Sequence, residues 1–231
     1  MKIGVIGAMA QEVALLKEQL EGMMTWKKSG ATFYSGKING HEIIVVQSGI
    51  GKVLSSITTS LLIQQYDVDL VINTGSAGGI GQGLAVGDIV IADKLAYHDV
   101  DATVFGYQYG QVPGGMPLYY EADPVFAKVM RQAAEETNQV VKSGLIVTGD
   151  SFIADPIRLK EILNNFPDAL ACEMEGAAIA QTAYQFEVPC LVVRAMSDTA
   201  NHDATVSFDE FIELAGKRSA EMVLRFINLC E

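Results

Sequence analysis

The sequence has few basic residues and no long apolar run, and each shortage excludes a class of function. Its 231 residues include 16 Lys and Arg against 28 Asp and Glu, a formal net charge of −12. Nucleic-acid recognition needs clustered Lys and Arg to displace counterions, so no nucleic-acid partner is expected. No apolar run approaches the ~20 residues of a membrane span, so no membrane partner is expected either. The start "KIGVIGAMA" leads into the charged "QEVALLKEQ" rather than a cleavage site, which favours a cytoplasmic protein.

Cysteine is also scarce. The three cysteines are an odd number and lack C-x-x-C spacing, so they provide neither a disulfide framework nor a zinc site. Cys172 and Cys190 lie in apolar stretches and are interpreted as small core residues. A metal site built from His98, Asp99, Asp101, His202 and Asp203 is a third possibility, but these spacings fit no standard motif, and we expect no metal and no cofactor.

Short apolar runs alternate with longer helical patterns, which indicates an α/β protein with one domain over residues 1–231. Most of the runs lack polar alternation, so we expect both faces of the sheet to be covered. The predicted strands are 2–7, a hairpin over 32–47 that turns at Asn39-Gly40, 69–75, 87–97, 143–150, 169–174 and 188–198. The predicted helices follow the first strand and then occupy 52–65, 124–137, 156–164, 175–186 and 207–229.

Local signals mark two helix starts and one long loop. Asp123-Pro124 is typical of an N-cap followed by proline, and Ser207 with Glu210 has the spacing of a capping box. The loop 98–120 is long for a compact domain and rich in glycine and aromatic residues. Such a loop usually lies over a site or against another subunit.

Carboxylates follow several predicted strands, where ligands bind in open α/β sheets. Glu12 comes after the first strand, Glu173 and Glu175 after another, and Asp198 near the end of the last. Each follows an apolar run that implies partial burial, which raises a carboxyl pKa towards the range a general acid needs. Paired carboxylates with separate roles are typical of glycosidic-bond cleavage. Each of these acids also has a simpler explanation that is equally good. Glu12 and Glu175 could stabilise helix N-termini, and Asp198 could form an ion pair with Arg194.

Two glycine motifs need a separate interpretation. The segment "GSAGGIGQG" contains no G-x-G-x-x-G and leads into another strand, which argues against a dinucleotide fold. The segment "SGIGK" lacks the first glycine of a phosphate-binding loop. Gly75, Gly78 and Gly79 could allow close approach to a small ligand or form a sharp turn between strands, and glycine alone does not decide between these.

In order along the chain, seven segments resemble the 5′-methylthioadenosine/S-adenosylhomocysteine nucleosidase family. They are "GAMAQE" (7–12), "SGIGKV" (48–53), "INTGSAGG" (72–79), "YHDVDATVFGYQYGQVPG" (97–114), "GDSFI" (149–153), "EMEGAAIAQ" (173–181) and "VVRAMSD" (192–198). The resemblance implies a nucleoside phosphorylase-like, single-domain, three-layer fold with a twisted mixed central sheet surrounded by helices. It also implies a homodimer that hydrolyses the N-glycosidic bond of 5′-thio-substituted adenosines and releases adenine.

The resemblance also implies roles for individual residues. Asp198 would protonate adenine N7 as the general acid, held by Ser197, and Glu12 would activate the attacking water with help from Arg194. Glu175 would bind the ribose hydroxyls, Met174 would pack against the sugar, and Glu173 would line the same wall. The remaining substrate-binding residues would be Ser76, Ala77, Gly78, Phe152 stacked on adenine, Ile153 through its backbone, Phe208, and Phe105, Tyr107 and Pro113 from the partner subunit.

Some positions depart from the family pattern without removing a proposed catalytic group. They are Ala10, Gln11, Cys172, Gly176 and Ala177, while residues 114–120 lie in a variable segment. Two other functions stay open at this point. One is a phosphate-dependent purine or methylthioadenosine phosphorylase of the same superfamily, and the other is a non-catalytic nucleoside-binding or storage protein. The order of preference among methylthioadenosine, adenosylhomocysteine and 5′-deoxyadenosine is also open.

Overall fold

The structure is a computed structural model that describes residues 1–137, 139–200 and 204–230. Its strands are β1 Lys2–Gly7, β2 Glu21–Lys28, β3 Ala31–Ile38, β4 His41–Gln47, β5 Leu70–Gly79, β6 Ile89–Tyr97, β7 Tyr120–Glu121, β8 Val141–Thr148, β9 Ala169–Glu173 and β10 Cys190–Asp198. Its helices are α1 Ala10–Glu18, α2 Lys52–Tyr66, α3 Pro124–Glu135, α4 Pro156–Asn165, α5 Gly176–Gln185 and α6 Ala204–Leu229. The loop 98–120 contains one 3₁₀ turn, Thr103–Phe105.

The strands form one mixed sheet, part of which closes on itself. β10 pairs in parallel with β5 and antiparallel with β6, while β8 and β9 connect β6 back to β5. These five strands make a ring, and β1, β4, β3 and β2 extend from β5 in that order. The predicted α/β class with a mixed central sheet is confirmed. The closure of the ring was not predicted, because apolar patterning identifies strands without specifying their partners.

Helices cover both faces of the sheet, as predicted. Leu16 of α1, Met130 of α3 and Phe226 of α6 share one apolar cluster on the first face. Leu62 of α2 and Ile179 of α5 belong to a second cluster on the other face, and α4 contributes to a third. Within the described part of the chain, no helix combines the length and apolar character that crossing a bilayer requires.

Of the predicted hairpin turn and the two predicted helix starts, the turn and one helix start are confirmed. Asn39 and Gly40 have φ angles of 52° and 82°, as a type I′ hairpin turn requires. The Asp123 carboxylate accepts hydrogen bonds from the N–H groups of the second and third residues of α3 at 2.9 and 3.1 Å. The capping box at Ser207 and Glu210 is wrong, because Ser207 lies inside α6. The helix is already formed at Ala204, whose fully buried side chain extends the apolar face upstream.

Apart from shifts of one or two residues at strand ends, three strands differ from the prediction, one of them the two-residue β7, which was not predicted. β2 was missed because it is a mostly exposed edge strand with no apolar alternation that would identify it. β5 was expected to end by residue 75 but continues to Gly79, so the sharp turn considered for its glycines is wrong. The extension is stabilised by pairing on both sides, since Gly78 lies opposite Cys172 of β9 and also opposite Asp198 of β10.

Candidate active site

A cavity of about 450 Å³ lies between the ends of β5, β9 and β10 and the start of α1. Most of the predicted site residues line it: Glu12, Ser76, Ala77, Gly78, Phe152, Ile153, Glu173, Met174, Glu175, Ser197, Asp198 and Phe208. It is also lined by residues that were not predicted: Ala8, Met9, Ile50, Ser151, Cys172, Thr205 and Asp209. Met9 and Ile50 lie within two of the segments that resemble the nucleosidase family, but no role was predicted for either residue.

Glu12 is held in place at the first turn of α1. Its carboxylate Oε2 accepts hydrogen bonds from the N–H groups of Ala8 and Met9 at 2.8 and 3.0 Å. Its Oε1 accepts from the N–H and the hydroxyl of Ser76 at 2.9 and 3.0 Å. Glu12 thus caps the helix, as the simpler interpretation required, and is also buried against β5 with only 2% of its surface exposed. The helix-start interpretation of this acid is confirmed, and its burial against the cavity is compatible with the functional one, which stays a prediction.

Gly75 leaves the space that Glu12 and Arg194 occupy. A Cβ atom at this position would lie 2.5 Å from Oε1 of Glu12 and 2.4 Å from Nη1 of Arg194. No real side chain tolerates contacts this short. The glycine of this motif therefore serves close approach, although the groups that approach it belong to the protein itself.

Asp198 is buried at the end of β10, with 2% of its surface exposed. Oδ1 accepts a hydrogen bond from the N–H of Ala200 at 2.8 Å, and Oδ2 accepts one from the Ser197 hydroxyl at 2.9 Å. Burial raises the pKa of Asp198, and these two hydrogen bonds offset only part of that effect. A raised pKa is the direction that a general acid needs, and this carboxyl group lines the cavity.

Arg194 is fully buried and binds the other pair of acids rather than Asp198. Its Nη2 binds Oε2 of Glu173 and lies 3.6 Å from Oε2 of Glu175. The ion pair considered for Asp198 and Arg194 is therefore wrong. Burial and the charge of Glu173 raise the pKa of Glu175, while Arg194 and the N–H of Gly51, which donates to Glu175 at 2.9 Å, lower it.

The outer wall of the cavity is aromatic. Phe152 is 44% exposed, and its ring meets that of Phe208 edge to face with centroids 5.6 Å apart. Ile153 is buried beside them. Two half-open aromatic rings at the mouth of a polar cavity provide a face on which a planar ligand can stack.

Four predicted residues do not line the cavity. Arg194 lies behind it, in contact with Glu173. Phe105, Tyr107 and Pro113 lie on the loop 98–120, and Phe105 is 80% exposed. Their assignment to a partner subunit stays a prediction, because the structure contains one chain.

The metal alternative gains no support from the described residues, among which no group of three His, Cys, Asp or Glu side chains is placed to hold an ion. His202 and Asp203 lie outside the described residues. Asp99 accepts instead a hydrogen bond from Nζ of Lys52 at 2.7 Å.

Comparison with known proteins agrees with this geometry. The model of the phosphorylase superfamily matches residues 2–228, and this superfamily is the class that the fold and the site define. Curated 5′-methylthioadenosine/S-adenosylhomocysteine nucleosidases from Listeria innocua and Listeria monocytogenes are 49% and 50% identical, over 99% of this chain and 99% of their own length. The chain belongs to this nucleosidase family, as the sequence resemblance predicted.

Solved structures of the family superpose closely on this chain. The nucleosidase from Streptococcus pneumoniae with the transition-state inhibitor MT-ImmA has a TM-score of 0.97 and 49% identity, with 100% of both chains covered. The S-adenosylhomocysteine nucleosidase from Streptococcus pyogenes in complex with 5-methylthiotubericidin has a TM-score of 0.95 and 50% identity, covering 100% of this chain and 98% of the other. The predicted nucleoside phosphorylase-like fold is thereby confirmed.

Proposed function

We propose that this chain hydrolyses the N-glycosidic bond of 5′-methylthioadenosine and S-adenosylhomocysteine, releasing adenine and the 5-substituted ribose. 5′-Deoxyadenosine is a third candidate substrate. The activity would serve methionine salvage and the recycling of S-adenosylmethionine by-products in the cytoplasm. The names and ligands of relatives with 49–50% identity support this choice.

The observation that carries the proposal is the convergence of Glu12 and Asp198 on one stretch of β5. Glu12 binds Ser76, and Asp198 lies against Gly78, where a Cβ would be 3.0 Å from its Oδ1. Both carboxyl groups line the same cavity, so a proton donor and a group that activates water would face one bound nucleoside.

The proposed reaction uses these two acids in different protonation states. Asp198 donates its proton to N7 of adenine as the bond between C1′ and N9 breaks, and the bond electrons leave with the base. Water attacks C1′ of the resulting cationic sugar and gives a proton to Glu12. Ser197 orients Asp198 through the 2.9 Å hydrogen bond, while Arg194 stands behind the water-binding end.

The rest of the cavity would bind the nucleoside. Glu175 would accept hydrogen bonds from the ribose hydroxyls, Met174 would pack on the sugar, and Phe152 would stack on the adenine. The Ile153 backbone would bind the edge of the base. The remaining contacts would come from Glu173 on the sugar wall, Ser76, Ala77 and Gly78 on the base and water side, and Phe208 against Phe152.

Water is a better nucleophile for this cavity than phosphate. Phosphate recognition needs arginine or lysine side chains or a nest of free N–H groups. The described residues that line the cavity include the acids Glu12, Glu173, Glu175 and Asp198, and none is Lys or Arg. Arg194 lies outside this lining, and its Nη2 is held by Asn73 and Glu173. A phosphate ion would therefore meet net negative charge at the position it must occupy.

We also propose that two copies form a homodimer in which Phe105, Tyr107 and Pro113 of each chain reach the neighbouring site. Val104 and Phe105 are 84% and 80% exposed on the loop 98–120. Val53 on α2 is 69% exposed, and its neighbour Lys52 binds Asp99 at the base of the loop, so these apolar groups belong to one side of the molecule. Exposed apolar surface of this kind is typical of an interface.

The test is a phosphate-free assay on methylthioadenosine with identification of both products. We expect adenine and free methylthioribose, formed at a rate that added phosphate does not change. An absolute phosphate requirement with sugar 1-phosphate as product would establish the phosphorylase instead. Binding without turnover would establish the storage protein.

Two variants with matched controls test the acids. Asp198→Asn is expected to lower kcat by about 100-fold or more, because a general acid contributes roughly 10²–10⁴-fold. Asp168→Asn, which removes only a surface carboxylate paired with Lys94, is its control. Glu12→Gln and the exposed Glu18→Gln on the same helix form the second pair. Equal rates within either pair contradict the role assigned to that acid.

A further inference from the structure

A run of buried polar side chains crosses the ring of strands behind the cavity. Asn73 of β5, Thr148 of β8 and Arg194 of β10 each have 0% of their surface exposed, and Glu173 of β9 connects them. We propose that Thr148 is a positioning residue that acts through Glu173 to hold Glu175 at the sugar end of the cavity. This inference rests on the proposed function, since it takes Glu175 to bind the ribose.

The carboxylate of Glu173 accepts four hydrogen bonds from other groups of the protein. Oε1 accepts a hydrogen bond from the Thr148 hydroxyl. Oε2 accepts from the N–H groups of Glu175 and Gly176 at 3.0 and 2.7 Å, and also from Nη2 of Arg194. A carboxylate offers about four acceptor positions, two on each oxygen, so the three donors on Oε2 saturate that oxygen and Thr148 takes one of the two positions on Oε1. Glu173 lines the wall of the cavity but serves to hold its neighbours.

Glu175 depends on this arrangement through its backbone and its side chain. The N–H of Glu175 is bound by Glu173 at the start of α5, which fixes where the residue leaves the strand. Arg194 is held by Glu173 and by Oδ1 of Asn73, and it lies 3.6 Å from Oε2 of Glu175. The Asn73 amide is anchored in turn, because it donates to the Ile6 carbonyl at 2.9 Å. A shift of Glu173 would therefore move both groups that set the position of Glu175.

Substituting Thr148 tests the positioning role most directly among the residues of this run. Its hydroxyl donates to Glu173 and accepts from the N–H of Ala177 at 2.8 Å. Thr148 does not line the cavity, so a substitution there removes no substrate contact. Valine preserves the shape of threonine but leaves the Ala177 N–H and Oε1 of Glu173 without this partner, whereas serine keeps the hydroxyl.

The experiment measures kcat and KM of Thr148→Val, Thr148→Ser and Glu175→Gln on methylthioadenosine and on its 2′-deoxy and 3′-deoxy analogues. The parent should prefer the intact ribose, and Glu175→Gln should reduce that preference. Thr148→Val should lose about tenfold in kcat/KM on methylthioadenosine and much less on the deoxy analogues, while Thr148→Ser stays within about threefold of the parent. Thermal unfolding of each variant is followed in parallel.

The outcomes separate the inference from the proposed function. An unchanged ribose preference in Glu175→Gln overturns the sugar contact, and with it the inference. A reduced preference in Glu175→Gln together with a normal one in Thr148→Val overturns the inference alone. Equal losses of Thr148→Val on all three substrates indicate a merely structural role and also overturn it. If Thr148→Val does not fold, Glu173→Gln takes its place with the same expected loss of preference.

Discussion

Replacing Gly75 by alanine is expected to displace Glu12, the proposed water-activating group, while the fold survives. The added Cβ would lie 2.4 Å from Nη1 of Arg194, 2.5 Å from Oε1 of Glu12 and 2.8 Å from the Glu12 carboxyl carbon. Since ordinary contacts of this kind need about 3.5 Å, each group must retreat by about 1 Å. Glu12 cannot retreat without stretching its hydrogen bonds to Ser76, which measure 2.9 and 3.0 Å.

The size of the effect follows from that displacement. A shift of about 1 Å in a positioned reacting group costs about 100-fold in rate, so kcat should fall by about that factor. Crowding a packed interior costs about 1–3 kcal/mol, which lowers the melting temperature of a chain of this size by roughly 2–12 °C. The substrate should still bind, because the base and sugar walls do not include Gly75.

The assay is steady-state kinetics on methylthioadenosine together with thermal unfolding, and Gly36→Ala is the matched control. Gly36 is also a strand glycine, with a hypothetical Cβ 2.8 Å from the Glu21 carbonyl oxygen, but it does not line the cavity. Both variants should lose stability, and only Gly75→Ala should lose kcat. A Gly75→Ala enzyme with parental kcat would refute the conclusion that Glu12 must occupy this position for catalysis.

Three further predictions follow from burial and exposure. Because burial raises the pKa of Glu175, ionising this group opposes folding, and the free energy of unfolding should decline as the pH rises above the ordinary glutamate range. Glu175→Gln should flatten that decline in chemical denaturation measured at a series of pH values. If Asp198 is the general acid proposed above, its raised pKa and the need for its acid form mean that kcat/KM should fall on the alkaline side of a pH–rate profile, and a flat profile would contradict this. Phe105→Ser should weaken the proposed dimer in sedimentation velocity and raise KM, with the exposed Val140→Ser as control; an unchanged association state and KM would exclude Phe105 from the proposed interface.

The sequence indicated most of the site because its signals are local. Glu12 and Asp198 each follow an apolar strand, and a carboxylate after such a strand is conspicuous. The same reasoning could not identify the buried partners Asn73 and Thr148. The sequence around a polar residue in an apolar run does not show which group that residue will bind. Thr148, for example, lies beside Glu173 only because β8 pairs with β9. Pairing is a property of the whole sheet rather than of any segment.

The strand ends meet at the cavity for two different reasons. β1, β5 and β10 run parallel to one another, so their carboxyl ends bring Glu12, Ser76 and Asp198 to one edge. β9 runs antiparallel to β5, and its carboxyl end approaches from the opposite direction. Glu173 reaches the same cavity because β9 has only five residues and ends beside the long carboxyl half of β5.

The closed ring therefore determines the spacing between the two groups of acids. Arg194 lies opposite Gly75 in the middle of the β5–β10 ladder, and it meets Glu173 and Glu175 as they arrive from β9. Arg194, which lies against Glu173 and Glu175, is therefore the ladder partner of Gly75, which leaves the space for Glu12. A one-residue slip of β10 against β5 would replace Arg194 by an apolar neighbour and turn every side chain to the other face. The register of β5 and β10, more than the conformation of any loop, therefore places Asp198 and Glu12 at the same cavity.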